Sequence, residues 1–95
     1  MFNTECYKGK VPEHLLSALI RWGKQECYTG DFLAAVLSND LMGAIGRADE
    51  ASLASLRYIT MFVYNELPRD CHGSKARVKQ WELAIKDHMA LRANT

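Results

Sequence analysis

Proline is scarce in this sequence. There are two, Pro12 and Pro68, so the long stretches between them can run as helix without forced breaks. Cysteine is scarce too: Cys6, Cys27 and Cys71 cannot all pair, which points to free thiols and a reducing, cytoplasmic setting. No run of about 18 apolar residues is present to cross a bilayer, so no membrane partner is expected. The opening MFNTECYKGKVPE has neither an apolar core nor a small-residue cleavage site, so no secretory signal is expected either. A strong charge of one sign is also missing. Lys and Arg number 12 against 11 Asp and Glu, unlike the basic surplus of most nucleic-acid binders. Residues 71–95 depart from that balance, because Lys75, Arg77, Lys79, Lys86 and Arg92 face Glu82 and Asp87 alone.

Chemistry-bearing patterns are equally thin. GAIGRAD has a Gly-x-x-Gly spacing, but no strand precedes it and the lysine of a phosphate loop is missing. Gly43 and Gly46 therefore read as close-approach or helix-ending positions. Zinc needs three or four ligands, usually with a close pair, and the adjacent Cys71 and His72 have no second pair to join them. Neighbouring loop residues also rarely point at one another as a thiol nucleophile and its base must. No metal, cofactor or enzymatic activity is expected. The loop NELPRDCHGSK reads instead as an organised turn: Pro68 stops one helix, Cys71 turns inward as a small hydrophobe, and Ser74 caps the next.

What is present is helical periodicity. The 95 residues suffice for one domain spanning 1–95, with a short N-terminal arm (1–11) and a frayed C-terminus (92–95). A helix over residues 12–26 is predicted from Leu15, Leu16, Leu19, Ile20 and Trp22. Over 31–48, Asp31 is a candidate cap and Leu33, Leu37, Leu41 and Ile45 recur every four residues, yet Ser38, Asn39 and Asp40 compete for backbone hydrogen bonds and often mark a cap. One kinked helix and two short ones both fit. A helix from Asp49 to Leu67, with Asp49 or Ser52 as its cap, carries large apolar side chains on several faces. The last begins at Ser74, with Val78, Trp81, Ile85 and Met89 as its stripe. The expected fold is all-α, a compact bundle of four or five helices. Trp22, Tyr58, Phe62 and Trp81 offer more aromatic surface than so small a core should hide, so a homo-oligomer is expected, with some of them at an interface.

For an anionic ligand, two places qualify. GSKAR puts Ser74, Lys75 and Arg77 at a helix N-terminus, where free amides suit phosphate. Near the start, Tyr7, Lys8 and Lys10 offer an aromatic face with two cations, and Arg21 and Lys24 are further cationic candidates. An exposed arm and a solvated helix face would carry the same residues.

Two stretches, TGDFLAAVLSNDLMGAIGRAD and YNELPRDCHGSKARVKQW, resemble a group of small helical proteins encoded by bacteriophages and prophages. Shared residues include Gly30, Phe32, Leu33, Asn39, Asp40 and Leu41, then Arg47, Ala48 and Asp49, then Tyr64, Asn65, Pro68, Cys71, Gly73, Ser74 and Trp81. The likeness covers roughly residues 12–81, with His72 where the group carries Trp. It implies a non-enzymatic, oligomeric viral protein that counters host antiviral defence in the host cytoplasm. Its partner would be a host defence protein or a cyclic nucleotide signal, sequestered rather than cleaved. A small DNA-binding regulator is the alternative, resting on the basic side chains of the last helix.

Overall fold

Pro12, with φ at −51°, stands directly before helix α1 (Glu13–Gly23), where its missing amide forfeits no helical hydrogen bond. The computed structural model describes residues 2–93. α1 is shorter than the predicted 12–26 because Gln25 adopts a left-handed conformation (φ 60°). Its neighbour closes the helix: the Glu26 amide donates to the Arg21 carbonyl at 2.9 Å, and the Gln25 amide to that of Trp22 at 3.0 Å.

The ambiguity over 31–48 resolves as two helices, α2 (Asp31–Leu37) and α3 (Leu41–Arg47). Asn39 (φ 61°) terminates α2 as Gln25 terminates α1, with the Asp40 amide donating to Ala35 at 2.9 Å. Asp40 then caps α3 by accepting from the Gly43 amide at 3.0 Å. That turn breaks the four-residue repeat: Leu33 and Leu37 are buried, whereas Leu41 and Ile45 face solvent.

The helix predicted from Asp49 to Leu67 is also divided, into α4 (Glu50–Ala54) and α5 (Leu56–Glu66). Asp49 caps α4 by accepting from the Ser52 amide at 2.7 Å, which holds its carboxyl below the usual range. At Ser55 the amide is shared between the Ala51 and Ser52 carbonyls, and the hydroxyl donates back to Ala51 at 2.8 Å. Such back-bonding competes with the helical ladder and bends it. Helix α6 (Lys75–Ala93) starts as predicted, Ser74 Oγ accepting from the Arg77 amide at 3.2 Å. Arg92 is still helical and donates to the Glu26 carbonyl at 3.2 Å. Of the expected frayed end, residues 94–95 lie outside the described residues.

The fold is all-α, with six helices rather than four or five and no strand among the described residues. Its radius of gyration, 13.1 Å, is that of a compact domain of this length. The expected N-terminal arm is not an arm. Phe2 lies against the core, and Tyr7 and Val11 are buried in it. The Tyr7 and Phe2 rings meet Phe62 edge-on, with centroids 5.1 and 6.3 Å away. This covering segment supplies the area that a four-helix count lacked. Trp22 and Phe62 are accordingly internal, at 1% and 0% exposed, rather than at an interface. Trp81 and Tyr58 are half-buried. Trp22 Nε1 donates to the Cys71 carbonyl at 3.1 Å, and Trp81 Nε1 to the Trp22 carbonyl at 2.7 Å, which ties α6 to α1 and α1 to the loop before α6.

Candidate functional site

The chain before α1 folds into a turn whose alternation decides what faces water. After a 3-10 turn over Glu5–Tyr7, the Lys10 and Val11 amides both donate to the Tyr7 carbonyl at 3.0 Å. Gly9 provides the left-handed position (φ 80°) that this reversal needs. Tyr7 and Val11 thereby point inward, and Lys8, Gly9 and Lys10 outward. α1 runs beside this turn, with Glu13, Ser17, Arg21 and Lys24 recurring along one exposed side.

Between the turn and α1 lies an open groove of about 780 Å³. Val11, Pro12, Leu16 and Ile20 contribute apolar lining, and Ser55 closes it from the end of α4. Lys8, Lys10, Arg21 and Lys24 line it as cations, against Glu13 and Glu26 as acids. Lys8 Nζ is 3.2 Å from Glu5 Oε1, an exposed pair of small worth. Lys10 Nζ sits 4.9 Å from the centroid of the Tyr58 ring, a cation–π contact. Arg21 and Lys24 form no ion pair among the described residues.

Four of the predicted residues, Lys8, Lys10, Arg21 and Lys24, are thus brought together. Tyr7 is not available to stack on a base: its ring is buried against Phe62, and its hydroxyl accepts from Asn65 Nδ2 at 3.4 Å. The aromatic ring beside Lys10 is that of Tyr58, reached only through the tertiary fold. Ser74, Lys75 and Arg77 stand apart. Ser74 is spent as a cap, Lys75 is exposed, and Arg77 Nη1 donates to the His72 carbonyl at 3.4 Å.

The loop between α5 and α6 is the organised turn that was expected. Cys71 is fully buried, and burial pushes its thiol up to about 11, away from nucleophilic use at neutral pH. His72 is half-buried, and burial, together with the Arg77 charge, lowers its imidazole below the ordinary value. Among the described residues, no three His, Cys, Asp or Glu side chains gather as a metal site would require. No helix among them is long and apolar enough to cross a membrane. Set against protein-family models, curated proteins and solved structures, the chain has no significant match.

Proposed function

We propose that this chain is a non-enzymatic, phage-type binding protein that captures an anionic cyclic nucleotide in the groove beside α1 and so blunts a host antiviral signal. One observation carries the reading: four cationic side chains converge on a groove with apolar lining, within the roughly 300–1,000 Å³ range of small-molecule sites. Lys and Arg suit the phosphodiester charges of such a ligand, and the apolar lining suits a base. The likeness of its two motifs to small phage proteins supports the same assignment. A homo-oligomer fits as well, because Leu41, Met42 and Tyr64 leave large apolar surfaces exposed.

Native mass spectrometry with a panel of cyclic di- and trinucleotides tests this. A stoichiometric adduct is expected, weakened at least about tenfold when Arg21→Glu and Lys24→Glu are combined, as loss of charge-assisted bonds implies. A protein that ignores every nucleotide would overturn the nucleotide reading and leave capture of a host defence protein. The other class of reading, a DNA-binding regulator, rests on Lys75, Arg77 and Lys79, all exposed along the start of α6. It requires duplex binding that falls steeply with salt.

A further inference from the structure

A second hollow, of about 540 Å³, lies where the end of α2, the middle of α5 and the loop before α6 meet, and it shares no residue with the groove. Val36 and Val63 contribute apolar lining. Arg69, His72 and Arg77 bring basic groups, and no carboxylate is among the lining residues. The geometry is fixed by the backbone. The Gly73 amide donates to the Leu37 carbonyl at 2.7 Å, which clamps the loop onto α2. Gly73 itself (φ 109°) leaves room for a guanidinium: a Cβ there would stand 3.0 Å from Arg77 Nη1. Arg77 is held by its bond to the His72 carbonyl, while Arg69 is exposed on the short 3-10 turn Arg69–Cys71. Tyr64, 81% exposed, also lines the hollow.

Two guanidiniums line a concavity to which no carboxylate contributes, the neighbouring Asp70 being exposed and outside the lining, and their planar forks match the oxygens of a phosphate. We propose that this hollow is a second binding site, taking a phosphate-type oxyanion through Arg69 and Arg77, independently of what fills the groove. His72 is a built-in reporter. Burial chiefly disfavours its imidazolium, a hydrogen bond to the Leu67 backbone favours it, and the Arg77 charge disfavours it again; an anion bound beside it would oppose the Arg77 part.

The test is a nuclear magnetic resonance titration of the full chain at low ionic strength, first with pyrophosphate and then with adenosine monophosphate. Saturable shifts are expected at the Gly73 amide and the His72 ring, with the ring titrating at higher pH when ligand is present. Arg69→Gln removes a side chain with no hydrogen bond or ion pair among the described residues and should weaken these responses about tenfold. The shift of the Lys24 amide in the groove should be unaltered by that substitution. Tighter binding of the nucleotide, with Tyr64 responding, would identify a nucleotide ligand. Equal binding would identify the phosphate alone, and either sustains the site. Shifts at His72 and Gly73 that are absent, or that are linear and unchanged in Arg69→Gln, would overturn it.

Discussion

Cys71 shows how one side chain can make stability depend on pH. Its thiol is fully buried and is displaced from an ordinary 9.0 to about 11, chiefly by burial. Because the folded thiol holds its proton at pH values where the unfolded one has lost it, this contribution is intact below pH 9.0. It is lost as pH rises toward about 11, by at most about 3 kcal/mol. Urea titrations of the wild type and Cys71→Ala across that window should differ in slope against pH, with the variant flatter. Equal slopes would show that the thiol does not titrate as a buried group. The inward turn of Cys71 was legible because a small apolar residue between a helix stop and a helix cap has little other use. The burial of Tyr7 was not, because its partner Phe62 lies far along the chain and nothing local announces it.

At the scale of elements, three of the caps were readable and the breaks less so; Asp31, a cap candidate by its position, is instead the first residue of α2, after Gly30. Asp40, Asp49 and Ser74 all do what short polar side chains before helices are expected to do. Ser55 was missed, since a serine inside a strongly periodic segment looks tolerable until its hydroxyl takes the Ala51 carbonyl. The end of α1 was placed too late for a related reason: Gln25 is an unremarkable helix former, yet it closes the helix with a positive φ. A side chain pays about 1 kcal/mol or more in that region, so Gln25→Gly should stabilise the protein by roughly 0.5–1 kcal/mol, after allowance for the looser unfolded chain. A higher midpoint in thermal unfolding checks this, and a lower one would mean that the glutamine side chain makes a compensating contact. The Asp49 cap has its own pH signature. Its carboxyl is lowered by the bond from the Ser52 amide, so its contribution is present above pH 3.8 and lost as pH falls through the folded value.

Across the whole molecule, an all-helical fold was legible from periodicity, but the placing of residues 2–11 over α5 was not. Helical spacing identifies which faces are apolar, not which segment covers them. Lys8 and Lys10 were named together from the sequence and Arg21 and Lys24 as further candidates; that all four line one groove depends on the turn at Gly9 and on the packing of that turn beside α1. The cover has a measurable weight. Deleting residues 1–10 removes Phe2 and Tyr7 from Phe62 and should lower thermal stability far more than Leu91→Ser on the exposed end of α6, which is expected to stay within about 0.5 kcal/mol of wild type. A deletion as harmless as that surface change would mean the segment is a true arm. The indole relay from Trp81 through Trp22 to Cys71 has an optical corollary. The sequence holds two tryptophans, and both sit at this one junction of α1, α6 and the loop. Emission excited selectively from the tryptophans therefore watches a single locus: it will register the parting of α6 from α1, and will stay dark to events at Lys10 and Tyr58 that leave the junction closed.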